Sequence, residues 1–155
     1  MKMQSRTARI ILSAAAIALT LTAISHFGYA QEHKAVNLSS TRGLPFSDGI
    51  LVGNTLYIAG QEGTDASDKL VAGGITAETS AALDNIQRVL KAASFELKDI
   101  VSVTVFLADI HEFGDMNKVY KSVMPEPKPA RATIQAAALV NNARIEISAI
   151  AMKQK

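Results

Sequence analysis

The sequence predicts an α+β fold: one mixed sheet with two helices packed on one of its faces. Three observations carry that prediction. Apolar residues recur with a period of two in some segments and about 3.6 in others, so strands and helices alternate. Gly-Asn, Asn-Asn and a Pro-rich run separate those segments, as turns and helix stops do. Beyond residue 30 there remain 125 residues with no repeat or long linker, a length that suits one core.

The first thirty residues read as an export signal. Lys2, Arg6 and Arg9 form a basic start with no acid, and residues 10–24 are apolar except Ser13, Thr20 and Thr22. Gly28-Tyr29-Ala30 then places small residues three and one before a cut at Gln31. A fifteen-residue stretch of this kind is short against the ~20 apolar residues needed to span a bilayer, which disfavours a retained anchor. The expected domains are therefore a signal peptide, 1–30, and one folded domain, 31–155. A periplasmic or secreted product follows.

Residues 31–40 are polar and read as an extended arm, with room for an extra N-terminal strand. Residues 46–52 and 55–61 read as a hairpin joined at Gly53-Asn54, where a tight turn accepts positive φ. Residues 62–74, rich in glycine and acids, form a loop. Thr76 is placed to cap a helix over 77–93, in which Ala82, Leu83, Ile86, Val89, Leu90 and Ala93 share a face. Residues 100–108 alternate as a strand through Val101, Val103, Val105 and Leu107. A second helix over 112–123 stops at Pro125-Glu126-Pro127-Lys128-Pro129. The last strands, 131–139 and 144–152, flank Asn141-Asn142. The order is ββαβαββ.

Charge narrows the function classes. The chain carries 16 basic and 14 acidic residues; without the three basic residues of the signal, 13 face 14. The folded domain is thus slightly acidic, with no patch for nucleic acid and no basic surface for a stable membrane contact. Cysteine is absent, which removes disulfides and thiol nucleophiles. Only His33 and His111 lie beyond the signal, with no HxH, HExxH or Asp-rich loop, so a dedicated metal site is not expected.

The candidate chemistry sits on the last two strands. Arg131 follows Pro129 at a strand start, where a guanidinium can clamp a small carboxylate. Glu146 lies among apolar neighbours, where partial burial moves a carboxyl group towards neutral pH. Its structural alternative is an ion pair with nearby Arg144. Alternation sets Ile145, Ile147, Ala149 and Ala151 under the helices, leaving Glu146, Ser148 and Ile150 on a second face with Arg131, Thr133 and Gln135. That semi-polar face is uncovered by this chain, which points to burial in an oligomer. A simple hairpin of the two strands would hold Arg131 and Glu146 roughly 20 Å apart. Either the strands are not neighbours or the site joins two protomers, and the second reading is preferred.

Six ordered segments carry a resemblance over most of residues 44–151. They are Gly53-Asn54-Thr55-Leu56-Tyr57-Ile58-Ala59-Gly60-Gln61, Leu83-Asp84-Asn85-Ile86, Thr104-Val105-Phe106-Leu107-Ala108-Asp109, Phe113-Gly114-Asp115-Met116-Asn117-Lys118-Val119-Tyr120, Pro129-Ala130-Arg131 and Ile145-Glu146-Ile147-Ser148-Ala149-Ile150-Ala151. In these the chain resembles the RidA/YjgF family of imine deaminases. The resemblance implies a chorismate-mutase-like protomer, a homotrimer with its sheets facing an inner barrel, and ligand clefts between subunits. It places a carboxylate-binding role on Arg131, a water-orienting role on Glu146, a ligand-facing backbone at Gly60 and a cleft role on Asn117. Three positions depart from it. Phe46 stands where a Tyr is common, Ala59 where a Ser is frequent and Thr133 where a Cys is frequent.

The function so implied is cofactor-free hydrolysis of 2-imino or 2-enamino acids to 2-oxo acids and ammonia, by a hydrolase acting on C=N bonds. The alternative is a trimeric periplasmic module that binds small carboxylates without turnover. Ribonuclease activity, also credited to relatives, fits poorly with export and an acidic domain.

Overall fold

The computed structural model describes residues 31–38 and 43–154. The signal-peptide reading falls on residues 1–30, outside the described residues. Six strands and two helices follow in order: β1 His33–Val36, β2 Gly49–Val52, β3 Thr55–Glu62, α1 Gly74–Ala92, β4 Ile100–Leu107, α2 Phe113–Val123, β5 Ala130–Gln135 and β6 Ile145–Met152. The strands form one sheet in the order β1-β2-β3-β6-β4-β5. All neighbours are antiparallel except β4 and β5, which run parallel and are joined through α2. The mixed α+β architecture read from the sequence is the one observed, and the extra N-terminal strand is present.

Periodicity sets the core. Along β4, Val103, Val105 and Leu107 are buried while Ser102, Thr104 and Phe106 turn to the other face. Along β6, Ile145, Ile147, Ala149 and Ala151 are buried in the same way. Leu83, Ile86, Val89 and Leu90 of α1, with Met116 and Tyr120 of α2, close that face. Each fully buried aliphatic contributes about 1.5–3 kcal/mol relative to an exposed one. Among the described residues no helix covers the opposite face, and there Tyr57, Ile134 and Met152 are each about half exposed (51%, 50% and 46%).

Several boundaries differ from the sequence reading for identifiable reasons. Helix α1 begins at Gly74 and is preceded by Gly73 at φ 119°, so Thr76 lies inside the helix and does not cap it. The two glycines turn the chain early, which lets Ile75 enter the core. Strand β5 ends at Gln135 rather than Leu139, and its last ladder bond to β4 runs from the Ala136 amide to the Leu107 carbonyl at 2.8 Å. Residues 136–144 are a connection, and Asn141 and Asn142 both adopt left-handed φ there (57° and 58°). That connection carries the chain past β4, so β6 pairs with β3 and β4 and the last two strands form no hairpin.

The end of β3 is pinned from below. Buried Asn85 of α1 donates its Nδ2 to the carbonyls of Glu62 and Thr64, both at 3.1 Å. Gly63 passes so close to the helix that an added Cβ would lie 2.4 Å from the Glu78 Cα. Only glycine permits that approach, and it fixes where β3 delivers Glu62.

Candidate active site

Arg131 is the second residue of edge strand β5 and pairs in register with Val103, a core residue of β4. The two side chains therefore share the helix-covered side of the sheet. There the guanidinium lies against α2. Its Cζ stands 4.3 Å from the Tyr120 ring centre and 5.6 Å from that of Phe113. Its Nη2 donates to Asn117 Oδ1 at 2.8 Å. Residues 113, 117 and 120 fall on one helical face, so a single helix supplies two rings and an amide. Stacking holds the plane of the guanidinium and leaves donors at its edge for a planar carboxylate.

Thr133 follows on the same face. Its Oγ1 is buried and has no hydrogen-bond partner among the described residues, and the Tyr120 hydroxyl is buried beside the Arg131 guanidinium. Burial pushes the Tyr120 phenol above its usual pKa against the opposing charge and hydrogen bond of Arg131. The phenol stays neutral, and its proton is held beside the guanidinium.

Glu146 occupies the other side. It pairs with Phe106 of β4 and Glu62 of β3, between core residues Ile145 and Ile147, and so projects from the uncovered face. The β3–β6 register shifts between Ile58 and Gln61, a bulge that contains Ala59 and Gly60. The Glu146 side chain lies directly on Gly60, where an added Cβ would stand 1.7 Å from its Oε1. Gly60 thus makes room for the carboxylate. The alternative pairing with Arg144 is not formed, because Arg144 bonds Glu112 instead.

The structure brings Arg131, Asn117 and Thr133 together, and separately Glu146, Gly60 and Ala59. It does not bring the two groups together within one chain. Arg131 aligns across β4 with Ala149, three residues from Glu146. Two strand spacings and three residues put the Cα atoms roughly 14 Å apart, with side chains on opposite faces. Here the sequence reading needs correction: Arg131, Thr133 and Gln135 do not share the face of Glu146. Ala130, Ala132 and Ile134 do. The cause is β4, whose parallel pairing with β5 sets that strand's phase independently of β6.

Phe46 sits before β2, not in it, and is 58% exposed. Sequence reasoning passed over Phe113 and Tyr120 as Arg131 contacts, although their helical spacing with Asn117 was visible. It also left Glu62 in a loop, whereas β3 extends to include it.

The profile of the family Endoribonuclease L-PSP matches residues 40–153. The chain belongs to that family. Among curated family members, 2-iminobutanoate/2-iminopropanoate deaminase of Bos taurus is 47% identical over 110 residues, 70% of this chain and 80% of that protein. Of solved structures, RidA from an Antarctic Psychrobacter matches with TM-score 0.69 at 31% identity, covering 81% of this chain and 100% of that one. Escherichia coli TdcF with bound serine matches with TM-score 0.68 at 25% identity, covering 82% and 100%. The RidA/YjgF resemblance read from the sequence is the relationship that these comparisons establish.

Gly60→Ala tests how this family member holds its carboxylate. The added methyl meets only the end of a flexible side chain, so far-UV circular dichroism should match wild type. A crystal structure of the variant should show the Glu146 carboxylate swung off the bulge. An unmoved Glu146, or a collapsed fold, would contradict the packing described.

Proposed function

We propose that this chain is an exported, cofactor-free deaminase that hydrolyses 2-imino and 2-enamino acids to 2-oxo acids and ammonia. The reading holds that the active form is a homotrimer whose clefts join the Arg131 group of one copy to the Glu146 group of the next. One observation carries it. A carboxylate clamp and a carboxylate base stand on opposite faces of the same sheet, each beside surface that this chain leaves open. The half-exposed Tyr57, Ile134 and Met152 supply an apolar face for such an assembly. The deaminase names of close relatives support the reaction class.

The chemistry suits the groups. Arg131 holds the substrate carboxylate through parallel N–H bonds and fixes the adjacent C=N carbon. Glu146 takes a proton from water as the water oxygen bonds to that carbon, then passes the proton to nitrogen. From the resulting carbinolamine, Glu146 moves the hydroxyl proton to nitrogen. The C–N bond breaks, ammonia leaves and the 2-oxo acid remains. Such acid–base assistance is worth about 10²–10⁴ in rate. Phe46 and Ala59 lack the hydroxyl, and Thr133 the thiol, common at those positions, which leaves non-catalytic carboxylate binding as the rival reading.

Imino acid generated in situ by an amino-acid oxidase and trapped with semicarbazide separates the two. The purified protein should suppress the adduct, while Arg131→Ala and Glu146→Ala should lose about 10²-fold or more in rate with the assembly intact. If the wild type is inert and 2-oxo acids still raise its melting temperature through Arg131, it is a binding module. The signal reading predicts that the exported product begins at Gln31; a retained residue 1–30 segment on Edman or mass analysis contradicts it.

A further inference from the structure

Helix α2 carries the support of Arg131, yet its first turn has little apolar packing of its own. Strand β5 is an edge, so the guanidinium leans on α2 through Phe113, Asn117 and Tyr120. The buried residues of α2 are Met116 and Tyr120, while Phe113 at its start is 38% exposed. The turn ahead of Phe113, residues 109–112, is placed by polar ties instead. Asp109 Oδ1 accepts from the His111 amide at 2.9 Å, which shapes the turn from within. Two further ties reach it from the sheet. Gln135, at the end of β5, accepts from the Ile110 amide through Oε1 at 3.1 Å. Arg144, the residue before β6, donates from Nη1 to Glu112 Oε1. One tie thus comes from the strand of Arg131 and the other from the entry to the strand of Glu146.

Arg144 is itself anchored. Its amide donates to Glu78 Oε2 of α1 at 2.8 Å, and its carbonyl accepts from the Ala108 amide at 2.9 Å. A backbone held on both sides gives the side chain a fixed base. The Glu112 side chain is only 20% exposed, and its Oε2 is buried with no hydrogen-bond partner among the described residues. Without the guanidinium that carboxylate would lose its counter-charge and be drawn out towards water. Glu112 directly precedes Phe113, so the first turn of α2 would move with it. An ion pair with one exposed partner adds little to overall stability, which makes the consequence local.

We propose that Arg144 and Gln135 are positioning residues of the reaction: through the 109–112 turn they set Phe113 and Asn117 against Arg131, and so fix where the substrate carboxylate is gripped. Phe113 and Asn117 stand four residues apart on one helical face, so a displaced first turn disturbs the ring and the amide together. Both residues act through Arg131 and need not touch the substrate. The inference rests on the deaminase reading for the reaction it serves, whereas the placement of the guanidinium does not depend on that reading.

Nitrogen-15 spectra of the arginine side chains in the purified protein, read beside imine kinetics, test it. The signal lost in Arg131→Lys assigns the Arg131 Nε–H, whose proton the rings of Tyr120 and Phe113 shift upfield. Arg144→Met and Gln135→Leu should each move that signal towards the position of an exposed arginine, with the melting temperature little changed. Arg144→Lys keeps a charge within reach of Glu112 and should restore most of the shift. In the imine assay, Arg144→Met and Gln135→Leu should raise KM several-fold and leave kcat nearly intact, because Glu146 is undisturbed, and Arg144→Lys should recover KM. An Arg131 signal unmoved in both folded variants, or a loss confined to kcat, overturns the proposal. Global unfolding of both variants assigns the two residues to stability and overturns it as well. If the wild type hydrolyses no imine, a displaced Arg131 signal with several-fold weaker binding of 2-oxobutanoate sustains the placement and overturns only the deaminase reading.

Discussion

The constraint on which the rest depends is the alternation of side chains across a pleated strand, combined with the position of β4. Because β4 lies between β5 and β6, one strand is in parallel register with it and the other in antiparallel register. Val103 then brings Arg131 to the helix side, while Phe106 brings Glu146 to the open side. No side-chain rotation moves a group through a sheet. Under the proposed reaction, which uses both groups, the site draws them from two copies of the chain.

Each half is built for precision rather than strength. On the Arg131 side, α2 contributes the Asn117 amide and the faces of Tyr120 and Phe113, which orient a guanidinium without consuming its outer donors. On the Glu146 side, a bulge at Ala59 and Gly60 removes a Cβ just where the carboxylate rests. The pinned end of β3, held by Asn85 and the close pass of Gly63, sets the register of that bulge against β6. Backbone geometry, not long-range charge, places the acid. That is the kind of support that a reaction needing one ordered water requires.

Much of this was legible in the sequence, and the failures have causes. The 2.0 and 3.6 periods located the core strands and both helices because burial dictates them directly. Arg131, Glu146, Gly60 and Asn117 stood out through residue type and ordered motifs. The helix start at Gly74 was missed because a left-handed Gly73 can begin a helix where Thr76 looked like a cap. The face of Arg131 was misjudged because strand phase comes from the neighbouring strand, and sequence adjacency suggested β6 where the neighbour is β4. Glu62 was hidden by the same bulge: one extra residue in β3 turns a loop acid into a strand residue in register with Glu146.

Subunit mixing tests the shared cleft most directly. Arg131→Ala and Glu146→Ala chains, each inactive alone, would be co-refolded in equal amounts and assayed for imine hydrolysis. If each cleft takes Arg131 from one copy and Glu146 from the next, random assortment in a ring restores about a quarter of the clefts. Activity near that fraction is the predicted result. Mixed assemblies, verified by mass, that remain as inert as their parents would show that the two groups do not meet across a subunit boundary.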